Sequence, residues 1–261
     1  RRRQLIEMLT AEKNRLEKAS PKVAREIRGH IRWLERRLEA LDKELQEQLE
    51  PAEQGLYKLK GLPAQAGKET NTRFLFTSEI SCIYSKGGQV RRVHLILLSP
   101  SVAAVEKINT RLGWVGNLKS DGRPILGIDA KEVLKIALDA SADCMVVPAH
   151  AWTPWFSVFG SKSGFNALEE CFDEYTKYIY AIETGLSSDP AMNWRLSALD
   201  KIALLSNSDS HSLEKIGREV NVFDTEVNYS ALMEAIKTKD PAKFLYTVEF
   251  FPEEGKYHYD G

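Results

Sequence analysis

The sequence predicts an α/β body preceded by an α-helical coiled-coil hairpin, and three observations carry that expectation. Residues 1–48 have no Gly before Gly29, a single Pro, and thirteen Lys and Arg against nine Asp and Glu, which is +4 and leaves −5 for the rest of a chain of net charge −1. From residue 74 onward, apolar runs of strand length alternate with runs of helical period, the pattern of a parallel sheet that is open or closed as a barrel. Between the two, Pro51, Gly55, Gly61, Pro63 and Gly67 interrupt any periodicity. The expected organisation is a helical hairpin at 1–48, a connecting stretch at 49–73 and an α/β domain at 74–261.

In the first segment, Ala19-Ser20-Pro21 marks a turn, with Ser as N-cap and Pro at the first helical position. After it, Ile27, Ile31, Leu34, Leu38, Leu41 and Leu45 advance by four and three, a heptad seam flanked by Arg and Glu. Ile6, Leu9 and Leu16 keep the register before the turn, with Lys13 interrupting it. Such a hairpin packs on itself or on a partner chain, so self-association is expected; Arg1-Arg2-Arg3 and Arg36-Arg37 are the residues that would touch nucleic acid instead. The wording EMLTAEKNRLEKAS…IRGHIRWLERRLEALDKEL resembles the coiled-coil region of IS110-type transposases, without those enzymes' catalytic carboxylates.

In the second segment RFLFTSEISCIY, RVHLILLS, CMVVPAH, YIYAIET and IALLSNSD read as buried strands, and KFLYTVEFF as a last one. VAAVEKINTRL, AKEVLKIALDA, ALEECFDEY, WRLSALDKI and ALMEAIKTKD read as the helices between or after them. No run of eighteen apolar residues and no signal-peptide pattern occurs, so a cytoplasmic protein with no membrane partner is expected. Cys82, Cys144 and Cys171 are odd in number and form no C-x-x-C pair, which predicts buried free thiols. The chain starts at Arg1, and both ends read as cut.

Four stretches end apolar runs on ligand-type side chains: TSE at 77–79, RVHLILL at 92–98, VVPAHAW at 146–152 and LLSNSDSH at 204–211. In a parallel barrel, residues at strand ends converge on one mouth although distant in sequence. Glu79, His94, His150, Asp209 and His211 are therefore the candidate ligands for a divalent metal, three of them drawn from only five histidines. Carboxylate and imidazole suit zinc, with manganese or magnesium as alternatives. Each alone has a plainer reading: His94 as a core histidine, Asp209-Ser210-His211 as a turn and helix cap.

The order Glu, His, His, then Asp-x-His on successive strands resembles the PHP (polymerase and histidinol phosphatase) superfamily. RFLFTSEISCIYSKGGQVRRVHLILLSPS, GNLKSDGRPILGIDAKE, VVPAHAWTPWFSVFGSKSGF and LLSNSDSHSLEKIGREVNVFDTE resemble its endonuclease Q branch, DNA repair enzymes that nick beside deaminated bases. That resemblance implies a distorted seven-stranded barrel, here an incomplete PHP-type (β/α)7 barrel. The family opens with a His-x-His strand and a second ligand strand, of which residues 1–48 offer only His30, so these strands and the family's cysteine-rich zinc module are expected to be missing. It further implies that Glu79 bridges two metals, that His94 and His150 complete the second, and that Asp209 and His211 belong to the first and third. Of these sets, Glu79, His94 and His150 alone is whole.

The loop AWTPWFSVFGSKSGF follows His150, and its Trp152, Trp155, Phe156 and Phe159 could stack on bases while Lys162 reaches phosphate, or could form an apolar lid. Asn193, Trp194 and Arg195 mark a second rim loop of similar character. The expected function is metal-dependent hydrolysis of DNA containing uracil or hypoxanthine. The alternatives are an inactive fusion remnant or interaction module, and a phosphatase for a small phosphate monoester.

Overall fold

The computed structural model describes residues 2–16, 19, 21–49, 74–118, 123–255 and 257. The chain divides into two compact units, Arg1–Asn71 and Thr72–Gly261. Beyond Leu49, the expected connecting stretch at 49–73 lies outside the described residues, as do the last residues of the chain, 258–261.

The first unit contains α1 (Arg2–Leu16) and α2 (Pro21–Leu49), packed against each other as a hairpin. Pro21 opens α2, where its fixed φ suits the helix and its missing N–H leaves no bond unmade. Ala24, Ile27, Ile31 and Leu34 are buried at helical spacing, an apolar face along α2. Lys13, which interrupts the seam, lies at its exposed edge and pairs with Glu35 at 3.3 Å; Glu12 pairs with His30 at 3.2 Å. An exposed pair such as Lys13–Glu35 contributes at most about 1 kcal/mol, against roughly 1.5–3 kcal/mol for each large apolar side chain buried, so packing holds the hairpin.

The second unit is mixed rather than parallel. β1 (Phe76–Lys86) and β2 (Gln89–Ser99) form an antiparallel hairpin, paired from Phe76↔Ser99 to Lys86↔Gln89. The reason lies in Gly87-Gly88, both at positive φ (62° and 74°), which make a tight two-residue turn where a parallel connection would need a crossover helix. β3 (Ile125–Leu126) adds parallel to β1, and β4 (Met145–Pro148) adds antiparallel to β2, giving the order β3-β1-β2-β4. β5 (Ala181–Glu183) and β6 (Ala203–Leu205) pair in parallel, and β7 (Val220–Phe223) and β8 (Phe244–Val248) in antiparallel fashion. Among the described residues, β1–β3 and β5–β6 are the pairs that keep the expected parallel arrangement.

The helices α3 (Val102–Gly113), α4 (Ala130–Ala140) and α7 (Tyr229–Thr238) start on Ser101, Asp129 and Asn228, whose side chains accept N–H groups of the first turn. The expected helix at 167–175 shortens to α5 (Leu168–Phe172), because Asp173 turns to φ 50° and is held there by Lys86 (3.0 Å) and Lys131 (2.8 Å). The expected helix at 194–202 is absent apart from a single 3-10 turn at Ser197–Leu199; α6 (Pro190–Asn193) lies before it, capped by Asp189.

The period of two along β1 and β2 divides the unit into two faces. Ile80 and Cys82, with Val93, Leu95 and Leu97, face a core completed by Ile108, Leu112, Leu134 and Phe172. Ile96 and Leu98 face the opposite way, toward Met145, Val147, Leu205, Met233 and Ile236. Glu79 and His94, odd and even in the same alternation, share that second face. The three cysteines are free and buried, as expected.

Candidate metal centre

Antiparallel register brings the first two donors together. Ser81 lies opposite His94 and Glu79 opposite Ile96, so Glu79 and His94 are diagonal neighbours on one face, with Oε1 and Nδ1 3.0 Å apart. Glu79 therefore sits near the start of its strand and His94 in the middle of its own, which corrects the expectation that every ligand ends a parallel strand.

The third donor arrives by a break in a strand. Pairing of β4 with β2 reaches Leu95↔Pro148, the Ala149 N–H donates to the His94 carbonyl at 3.0 Å, and His150 then turns to φ 30°. That turn swings its Nε2 to 3.1 Å from His94 Nδ1 and 3.6 Å from Glu79 Oε1. It is possible because Gly185 lies beneath, itself at φ 63°; a Cβ there would stand 2.6 Å from the His150 Cβ. Thr153 Oγ1 meets His150 Nδ1 at 3.0 Å, and the Phe156 ring packs 4.7 Å from the His94 ring.

These three donor atoms fit a cation. Bonds of 2.0–2.2 Å in tetrahedral geometry place ligand atoms about 3.4 Å apart, and the observed separations of 3.0, 3.1 and 3.6 Å bracket that spacing. Burial holds His94 below its ordinary pKa despite the hydrogen bond to Glu79, a shift toward the neutral imidazole that metal binding requires. Burial acts to raise the Glu79 pKa, but hydrogen bonds from His150 and His94 and the charge of Arg123 outweigh it and hold the carboxyl well below the ordinary range. At His150, burial opposes protonation, while the Glu79 hydrogen bond and the charges of Glu183, Glu79 and Asp209 favour it and win.

The open side of the trio is occupied by Arg123, whose Nη1 donates to Glu79 Oε1 at 2.7 Å. Beside it lies a cavity of about 400 Å³ lined on its polar side by Glu79, His150, Glu183, Asn207, Asp209 and Asn221, and by Ile96, Leu98, Val147 and Phe223 among its apolar residues. Asp209, at φ 42°, thus joins the same cavity. His211 does not: its side chain is 77% exposed, and its Nδ1 bonds the Asp209 carbonyl at 2.9 Å. Among the described residues, Glu79, His94 and His150 are the group of three whose donor atoms converge.

The aromatic loop is partly lid and partly open. Trp152 and Phe159 meet as a tilted ring pair at 4.6 Å and pack on the core edge, and Phe156 is half-buried against His94. Trp155 is exposed, with the Arg92 guanidinium 5.1 Å from its ring, and Lys162, Trp194 and Arg195 are exposed as well. Asn193, expected on the rim, is buried: it accepts the Trp152 indole N–H at 2.7 Å and donates to Ser188 Oγ and the Asp189 carbonyl, so it ties the two loops together.

Sequence reasoning overlooks four residues here. Glu183 ends the apolar run YIYAIE on a carboxylate, the same signal that marks the others, and Asn207 lies in the LLSNSDSH stretch already singled out. Arg123 carries no signal of its own. Glu219 is buried, with Oε1 accepting the Phe250 N–H at 3.1 Å and Oε2 without a partner among the described residues; burial, with the charges of Glu249 and Glu183, pushes its carboxyl up to about 7.

Residues 194–241 match the family described as PHP-associated. The uncharacterized protein YqxK of Bacillus subtilis is 29% identical over 172 residues, which cover 64% of this chain and 42% of that protein. The uncharacterized protein MJ0043 of Methanocaldococcus jannaschii is 31% identical over 166 residues, covering 58% of this chain and 20% of that protein. The chain thus spans less than half the length of these curated relatives. The matched segment contains Asp209 and His211, and the cavity that Asp209 lines also has on its wall Glu79 and His150, two of the three convergent donors.

Proposed function

We propose that this chain is a metal-dependent phosphodiesterase of endonuclease Q type that nicks DNA beside uracil or hypoxanthine. The observation that supports this reading best is the Glu79, His94, His150 trio with Arg123 on its open side. A divalent ion, zinc before manganese or magnesium by the two imidazoles, would supply activation of water and offset charge on a phosphoryl group. Glu79 supplies the negative charge that holds such an ion, and buried His94 stays neutral for it. Arg123, released from Glu79, presents a planar fork of N–H donors to a phosphate oxygen. Asp209, on the cavity wall, would orient water or accept a proton. Exposed Trp155 and Trp194 offer stacking faces for bases, and Lys162 and Arg195 offer charge for the backbone. In the same proposal the helical hairpin associates with a second copy.

A nicking assay on duplex DNA containing uracil or hypoxanthine, with zinc, manganese or magnesium added, tests the reading. Cleavage that needs the metal and disappears in His150→Ala is the expected result. Hydrolysis of a small phosphate monoester without DNA nicking would favour the phosphatase reading, and metal binding with neither activity would favour a binding module. Light scattering with and without residues 1–48 checks the association.

A further inference from the structure

We propose that Glu183 is the positioning residue of the centre: its carboxylate holds His150 in the turned conformation that aims Nε2 at Glu79 and His94. The proposal rests on the metal-centre reading above. Glu183 is 2% exposed and ends β5. Its Oε2 accepts the His150 backbone N–H at 2.6 Å, and its Oε1 accepts the Asn207 Nδ2–H at 2.9 Å. The Glu183 main-chain carbonyl also accepts the Ala151 N–H at 2.9 Å, so one residue grips the chain on both sides of the turn.

A buried carboxylate is costly unless its oxygens are satisfied, so a residue kept here answers a specific demand. The demand is two donors. His150 N–H and Asn207 Nδ2 both point at position 183, and only a group that accepts at both oxygens meets them; an amide accepts at one end and donates at the other. The Asn207 orientation is itself set from β7. Asn221 pairs with the Ser206 backbone in both directions, at 2.9 and 2.8 Å, and donates to Asn207 Oδ1 at 3.1 Å. The line Asn221, Asn207, Glu183, His150 therefore carries the position of β7 and β6 to a donor atom of the trio. Glu183 is not a member of the convergent donor group, and both its oxygens are already engaged. It acts through His150.

Two variants separate this role from others. Glu183→Gln keeps the shape and loses one acceptor, and removal of a group that orients a metal ligand typically weakens metal binding ~10- to 100-fold. The expected result is a loss of that size in zinc affinity, read by competition with a chromophoric chelator, with an upfield shift of the His150 amide proton in metal-free protein. The double variant E183Q/N207D exchanges the roles: the amide introduced at position 183 accepts from His150 and donates to the carboxylate introduced at position 207, whose other oxygen still accepts from Asn221. It is expected to return both readouts toward those of the unmodified protein. Unchanged zinc affinity in Glu183→Gln, or a double variant no better than the single one, overturns the proposal; the second result would give the carboxylate a direct role as ligand or charge. Should Glu183→Gln not fold, Asn207→Ala removes one donor only and is expected to weaken zinc several-fold, with no change again overturning the idea. If the unmodified protein binds no zinc, the metal reading fails, and the amide shift alone decides whether Glu183 positions His150.

Discussion

Two regions that meet at the cavity hold similar side chains under different control. On one side Glu79, His94 and His150 are fixed by strand register and by a turn packed against Gly185. On the other, Asp209 and His211 lie on a segment that runs exposed from Ser210 to Gly217, tied down by Arg218, which donates to the Ser208 and Asp209 carbonyls at 2.8 and 3.3 Å, and by Ser208, which donates to the Glu219 carbonyl. Ligand-type residues become a centre when the backbone leaves them no other direction. The ladder does this for the trio, and a few loop bonds do it for Asp209 but not for His211.

The comparison is broken most severely at Gly185. Gly185→Ala places a Cβ against His150 and forces a positive φ on a non-glycine residue; it is expected to destabilise the second unit by about 2 kcal/mol or more and to abolish zinc binding, checked by thermal unfolding and chelator competition. His150→Ala and Glu79→Gln are expected to lower zinc affinity by more than ~100-fold without comparable loss of fold, since even outer partners of a ligand carry up to that much.

A pH titration sharpens the contrast, because the two sides respond in opposite senses. The Glu79 pKa is depressed in the folded protein, so its contribution is present above the ordinary carboxylate range and is lost as pH falls through the folded value. The Glu219 carboxyl, beneath the loop, is raised from 4.5 to about 7, so folding favours its protonated form and stability falls as pH rises from 4.5 to 7. Glu219→Gln removes that loss and is expected to stabilise the protein at pH 8 by on the order of 2–3 kcal/mol relative to its effect at pH 4.5, measured by urea unfolding. A smaller effect is expected at Arg123. Arg123→Ala withdraws a competing cation from Glu79 and should raise zinc affinity several-fold while lowering affinity for phosphate-bearing ligands. His211→Ala should leave zinc affinity at the trio unchanged.

The trio is legible in the sequence because a polar side chain inside an apolar run is conspicuous, and Glu79, His94 and His150 all meet that description. The means of their meeting is not legible by the same route. Alternating strands and helices suggest parallel pairing, whereas Gly87-Gly88 folds β1 back on β2; a Gly-Gly pair between two strand-like runs is a hairpin signal that outweighs the alternation locally. Glu183 is visible by the criterion that finds Glu79, but its role depends on the His150 turn, which no local pattern encodes. Asn193 illustrates the converse: a polar residue beside exposed Trp194 looks like rim, and only the packing of two loops reveals that it is interior. The short helix at 168–172 ends where Asp173, at positive φ and held by the distant Lys86 and Lys131, overrides propensity.

The Gly87-Gly88 turn also sets a sequence of events in time. Glu79 and His94 are brought together by pairs no further apart along the chain than Phe76 and Ser99, whereas His150 must wait for β4 to cross from beyond α4. Local hairpins form in about 1–10 μs, and more distant pairings follow because longer loops must close. A folding chain therefore presents a two-donor chelate before the third donor exists, and the last strand to dock turns a weak hold into a tight one.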